Sequence, residues 1–225
     1  MEFNTKTCVI QYFKNSKEFF LLLKYGIIWH EEGINMYSLF IDTHDKNVVI
    51  IIFKDGKVFK MKDIESKNRH SEITMPIIDS LFSEAKIDVK DIGEVIVVNG
   101  PGSFTGERIA VTIGKTIAYC LDVPLKMIDS LSIMAVNIND IIKYVSLPDR
   151  NGAFVGVFDK NNKRIEDFVY LNKSSYAEFV EKNNVINSVE IDYDKVYQLV
   201  KKIKAINPHE AKPLYVKGIS ALNGK

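Results

Sequence analysis

The chain has 225 residues, enough for one large domain or two small lobes around a genuine core. Its 46% hydrophobic and 26% charged residues match ordinary globular usage. The net charge of +1 excludes a global field drawing it to nucleic acid or an acidic membrane, so any RNA contact must be local or supplied by a partner. Cys8 and Cys120 lie far apart and outside CxxC spacing, which fits a reducing, cytoplasmic setting with both as small buried hydrophobes. Four arginines (Arg69, Arg108, Arg150, Arg164) beside many Lys, Ile and Asn residues are what AT-rich coding gives, and point to a low-GC bacterium.

The first 35 residues stand apart. FFLLLKYGIIW (19–29) is broken by Lys24 and is far shorter than the roughly 20 residues that cross a bilayer. No small-residue cleavage site follows it, which speaks against a secretory signal. A helix packed on the domain is one reading. The preferred one is that residues 1–35 are an extraneous or poorly ordered extension. Glu32-Gly33 reads back as the purine run GAAGGA, two codons before Met36, so translation is expected to start at Met36.

YSLFID (37–42) reads as a buried strand ending at Asp42-Thr43-His44-Asp45. NVVIIIF (47–53) follows, and Asp55-Gly56 turns it into the alternating edge strand KVFKMK (57–62). NRHSEITMPIIDSLFSEAK (68–86) is helical, with Ser71 as N-cap, Pro76 near the first turn, and Ile73, Ile77, Leu81 and Ala85 on one stripe. Next come a strand at EVIVVN (94–99), a helix over 105–121, a strand at VPLKMI (123–128) and a helix over 130–142. This βββαβαβα order implies an α/β protein with a mixed sheet and helices on its faces. KYVSLPDRN (143–151) is the expected boundary between a first lobe, 36–142, and a second, reduced lobe, 151–225. In the latter, GAFVGVF (152–158) and RIEDFVYLN (164–172) make a hairpin, 174–183 and 193–206 are helices, and PLYVKG (213–218) is a short last strand.

The stretch VIVVNGPGSFTGERIA (95–110) runs from strand through a glycine turn into a helix. It lacks the lysine of a Walker A loop, with Glu107 in its place, and Thr105 breaks GxGxxG. Gly100, Gly102, Ser103, Thr105 and Gly106 therefore form either a sharp, hydroxyl-capped turn or an anion site at a helix N-terminus. The following helix carries Ile109, Ile113, Ile117 and Leu121 on one stripe. Ala110, Gly114 and Ala118 beside it form a small-residue row against which a second helix could pack closely, or which is simply core.

NGPGSFTGERIAVTIGKTIAYCLDVPLKMIDSLSIMA resembles the GPGSFTG-LRIG-…-GLA-…-P-…-SLEALA signature of TsaB (YeaZ-type) proteins. RHSEITMPIIDSLF is similar to that family's RHSE-LLP-I-LL helix, and MYSLFIDTHDKNVVIII to its opening strand pair. The match runs from Met36 to about Phe158; KPLYVKG resembles the terminal P-YLR segment. Glu107 replaces the usual Leu and Ala110 the usual Gly. The resemblance implies the actin/Hsp70/sugar-kinase (ribonuclease H-like) fold. It implies a non-catalytic scaffold in the bacterial complex that forms threonylcarbamoyladenosine at position 37 of ANN-reading tRNAs. There a TsaD-like subunit holds the catalysis, a TsaE-like ATPase joins through the complex, and tRNA is met only through the complex. The docking helices would be 71–86 and 105–121, with Ile73, Ile77, Leu81, Ala110, Gly114 and Ala118 at the interface and a homodimer through the same surface when the partner is absent.

The residues themselves give no catalytic constellation, cofactor or metal site: His30, His44, His70 and His209 include no i, i+4 pair. No glycine cluster for adenosine appears in the second half. A small kinase or phosphatase using Asp42 and the 100–107 turn is the alternative, and a metallopeptidase has neither HExxH nor Ser/His/Asp spacing behind it.

Overall fold

A computed structural model describes residues 37–216 and, in the preceding segment, the backbone of two strands. The chain divides into two units, 1–35 and 36–225. In the first, strands β1 (Phe20–Leu22) and β2 (Ile28–His30) pair antiparallel, where a helix over 19–29 was one expectation. The expected start at Met36 concerns residues outside those described.

In the second unit, the strands β3 (Tyr37–Asp42), β4 (Asn47–Lys54) and β5 (Lys57–Glu65) follow one another antiparallel. Helix α1 (His70–Ala85), strand β6 (Ile92–Val98), helix α2 (Phe104–Leu121) and strand β7 (Leu125–Ile128) complete a five-stranded sheet of order β5-β4-β3-β6-β7. β6 and β7 run parallel to β3 because helical crossovers return the chain to the same edge. The alternation of side chains explains the near-continuous apolar runs. Leu39, Ile41, Ile50 and Ile52 meet α1 and α2 on one face, while Phe40, Ile51 and Phe53 meet the other.

Helix α3 (Ser130–Ala135) leads to a second sheet of order β10-β9-β8-β11, built from β8 (Ile142–Asp149), β9 (Gly152–Asp159), β10 (Val169–Asn172) and β11 (Val185–Ile186), with helix α4 (Lys173–Lys182) between the last two. Leu131, Met134, Val145, Phe154 and Phe158 form its core. Helix α5 (Tyr193–Val200) packs on the first sheet, burying Val196 and Val200 against the Phe40 face. Tyr197 Oη donates to Glu94 (2.9 Å), which also binds Ser38 (2.8 Å) and Lys126 (3.0 Å), tying α5 to three strands.

Several expected elements differ. The stretch 143–151 is strand and hairpin turn. The helix over 130–142 stops at Ala135, since Asn137 turns its amide onto the Ile133 carbonyl (2.9 Å) and Asn139 and Asp140 favour local bonding over helix. The α1 N-cap is Arg69 and not Ser71, and Pro76 falls in the second turn. Strand pairing over 164–172 is continuous only from Val169, and the helix over 193–206 ends at Val200. Residues 213–216 form no strand, although Leu214 N–H reaches the Asn99 carbonyl (2.7 Å).

The small-residue row of α2 faces the sheet. Ala110 and Ala118 are buried, and a Cβ on Gly114 would stand 2.1 Å from Val97 Cγ2. Gly114→Ala is expected to overpack this contact and cost about 1–3 kcal/mol, read as a lower urea midpoint at unchanged slope. An unchanged midpoint contradicts this packing.

Candidate interlobe cleft and the glycine turn

The turn that leaves β3 and the turn that enters α2 touch backbone to backbone. A Cβ on Gly106 would lie 1.8 Å from the Thr43 carbonyl oxygen and one on Gly102 2.3 Å from that of His44. Gly100 adopts φ +105°, which favours glycine. Ser103 N–H donates to the His44 carbonyl (2.6 Å), Thr43 Oγ1 to the Gly106 carbonyl (2.6 Å) and Ser130 Oγ to that of Pro101 (2.6 Å). Gly106 N–H goes to the Ser103 hydroxyl (3.3 Å), so Ser103 is the helix cap. Thr105 is exposed.

The N–H groups of Gly102, Ser103 and Gly106 in this turn thus have acceptors within the protein. The Gly102 N–H binds the Glu107 carboxyl. Glu107 is 3% exposed, and burial pushes its pKa from the ordinary 4.5 up to about 7, against the Gly102 bond and the nearby His44. Asp42, 3% exposed, accepts from His44 Nδ1 (2.6 Å) and from the His44 amide (3.0 Å). Burial pulls the His44 imidazole down, but Asp42, with Asp45 and Glu107 beyond, outweighs it and holds the pKa above the ordinary 6.5. Asp42 is therefore tied to its neighbour.

These groups lie at one wall of a cleft of about 420 Å3 between the two sheets, faced by Leu147, Pro148, Asp149 and Phe154 and bordered by Leu214, Tyr215 and Val216. His70, read from sequence as a polar residue at a helix start, has its Nε2 on the Asp45 carbonyl (2.7 Å) beside this cleft. Sequence reasoning missed the Asp42–His44 pair; its signal was an acid two residues before a histidine at a strand exit. Among the described residues, no three His, Cys, Asp or Glu side chains gather as a metal site. No helix among them is long and apolar enough to cross a membrane.

The six expected interface residues need a correction. Ile77, Leu81, Ala110, Gly114 and Ala118 fill the chain's own core, since one sheet face accepts the full apolar arc of both helices. Ile73 alone keeps part of its surface, on the flank of α1 that carries Ser80 and Glu84 toward Lys62 of β5. Ile113 and Ile117 of α2 are also half-buried, and Met75, about 160° around α1 from Ile73, is 49% exposed.

The family model described as TsaD, tRNA N6-adenosine threonylcarbamoyltransferase, matches residues 64–149. The tRNA threonylcarbamoyladenosine biosynthesis protein TsaB of Bacillus subtilis (strain 168) is 30% identical over 149 residues, 65% of each chain. The TsaB of Buchnera aphidicola subsp. Schizaphis graminum is 32% identical over 97 residues, 43% of this chain and 46% of its own. The chain thus spans about half to two thirds of the length of these relatives. The solved structure of YeaZ from Pseudomonas aeruginosa superposes with a TM-score of 0.65, covering 80% of this chain and 99% of that one at 16% identity. An uncharacterized protein from the same organism, with similarity to peptidase YEAZ, gives 0.68 over 81% and 100%, also at 16% identity. The resemblance to TsaB/YeaZ proteins holds in sequence and in fold, and the structure is the expected α/β class with two sheets.

Glu107 sets the pH response of this region. Its neutral form is the one the fold favours, so its contribution is complete below the ordinary 4.5 and is lost as pH rises through about 7. His44, raised above 6.5, contributes below that value and loses its share as pH rises further, the same sign. Urea unfolding is therefore expected to show stability falling from pH 5 to 8, by roughly 3 kcal/mol from Glu107, with Glu107→Gln removing most of that slope. Equal slopes in the two proteins contradict it.

Proposed function

We propose, from this chain's similarity to the TsaB/YeaZ family, that it takes part in tRNA threonylcarbamoyladenosine biosynthesis as a docking subunit and leaves the chemistry to a TsaD-like partner. The sequence match to TsaB over the GPGSFTG and RHSE segments carries the reading. The glycine turn agrees with it: its N–H groups and its acids are spent on one another, which suits a rigid scaffold. A TsaE-like ATPase and the tRNA then join through the complex.

The docking surface assigned to the partner is the seam of α1 and α2, where Met75 and the half-buried Ile113 and Ile117 expose apolar area outside the core. With the partner absent, a second copy of this chain is the natural occupant of the same seam. The buried glycine and alanines of α2 act indirectly, by letting the helix sit close to β6.

Capture of the catalytic homologue by the immobilised chain tests both parts. Met75→Asp with Ile113→Asp is expected to weaken capture at least tenfold, and with it the yield of threonylcarbamoyladenosine in the reconstituted mixture. Full capture by the double variant refutes the seam. Full modified-nucleoside yield without this chain refutes the function.

A further inference from the structure

After α5 the chain turns back along α2. Ile206 N–H bonds the Leu125 carbonyl (2.8 Å), His209 packs edge-on to Tyr119 (ring centroids 5.0 Å apart), and Tyr215 stacks on Phe104 (5.2 Å, 27°). Between these two aromatic pairs runs a groove lined by Arg108, Lys115 and Lys212, with no carboxylate in its lining. Among the described residues none of the three cations has an ion-pair partner, and Arg108 lies over the Phe104 ring (5.2 Å). Such clustering is notable in a chain whose 30 cations and 29 acids nearly cancel. Tyr119 is 62% exposed, Tyr215 48% and Phe104 42%, although all three are large rings that folding usually covers.

We propose that this groove binds single-stranded RNA, its three cations taking phosphates and its terminal aromatic pairs stacking bases. Unpaired cations alone would suit any polyanion. The exposed rings at both ends narrow the choice, since a base offers a π-face to a ring and an acidic peptide does not. From Phe104 to Tyr119 the helix advances about 22 Å at roughly 1.5 Å per residue, a length in keeping with single-strand sites of about four nucleotides or more. The carboxylates nearest in sequence are Glu107, which precedes Arg108 but is buried beneath Gly100, Glu210, which follows His209, and Asp122, which caps the far end of α2. The proposal rests on the tRNA-modifying function above for which RNA is meant, an exposed loop of that tRNA, and places a direct contact where the sequence suggested contact only through the complex.

Anisotropy of a fluorescein-labelled 12-nucleotide single-stranded RNA, titrated with the full chain from 50 to 300 mM salt, tests it. Three phosphate contacts predict a slope of log K on log salt of about −2. Arg108→Gln/Lys115→Gln/Lys212→Gln should weaken binding at least tenfold at 50 mM salt and flatten the slope. Tyr119→Ala with Tyr215→Ala should weaken single-strand binding about fivefold or more and leave a duplex of equal length unaffected. Thermal unfolding of each variant checks that it is folded. No RNA binding at 50 mM salt, or equal binding by the triple variant, overturns the proposal. So does labelled polyglutamate, or a phosphatidylserine vesicle, binding as tightly as the RNA. Capture of the catalytic homologue is measured in parallel: a triple variant that keeps capture and loses RNA supports the groove, and one that loses both makes it a protein surface and overturns the RNA assignment. Absence of capture by the unaltered chain would count against the docking function alone, with the RNA titration deciding the groove by itself.

Discussion

The contact of Gly102 and Gly106 with the carbonyls of Thr43 and His44 has no side chain in it, and most of the cleft wall follows from that. Two chain reversals, one leaving β3 and one entering α2, can lie this close only because neither glycine carries a Cβ. Once they do, the Ser103 amide finds the His44 carbonyl and the Thr43 hydroxyl finds that of Gly106. The Ser103 side chain closes the first turn of α2. The same spacing of glycines that elsewhere lets a backbone cradle a phosphate is consumed here by the protein's own backbone. A helix N-terminus attracts anions through unsatisfied N–H groups, and here those groups are largely supplied with internal acceptors.

Glu107 completes that internal supply at an electrostatic cost. A carboxyl buried beneath Gly100 and held by the Gly102 amide is more stable neutral than ionised, hence its pKa of about 7. His44 beside it moves the other way relative to burial, because Asp42 is 2.6 Å from its ring nitrogen. The three groups form a chain of acid, base and acid whose charges are coupled across two turns. The stability of the cleft wall is therefore a function of protonation and is greatest on the acidic side.

How much of this was legible follows from the kind of signal each element carries. β3 and β4 declare themselves because both faces of the sheet are covered, giving unbroken apolar runs closed by Asp55-Gly56. The bounds of α2 were readable from the glycine turn before it and the apolar period within it. Its small-residue row was visible too, but a row of Ala and Gly states only that something approaches closely. Whether that is a helix or a strand is decided by tertiary packing, and β6 won through Val97. KYVSLPDRN was misread because Pro148 and Asp149 look like a linker, when they close a strand on the way into a hairpin turn. The Asp42–His44 pair and the Glu94–Tyr197 tie join residues through the fold or across a bend, where no periodicity reports them.

Burying both sheet faces leaves α2 only its outer arc for work, and that arc is divided. At 3.6 residues per turn, Ile113 and Lys115 point about 160° apart around the helix axis, so the seam toward α1 and the groove toward residues 206–215 lie on opposite flanks. An apolar protein contact on one flank leaves the cations of the other untouched. It also keeps them clear of a low-dielectric interface, where unpaired charge would be expensive. The polarity of each flank is set by what packs next to it. Beside α1 the half-buried isoleucines extend the core outward, whereas beside the returning chain Arg108, Lys115 and Lys212 line a groove with Val111 and Pro213. On the docking and RNA proposals above, a single helix with two such flanks holds a protein and a nucleic acid together without competition.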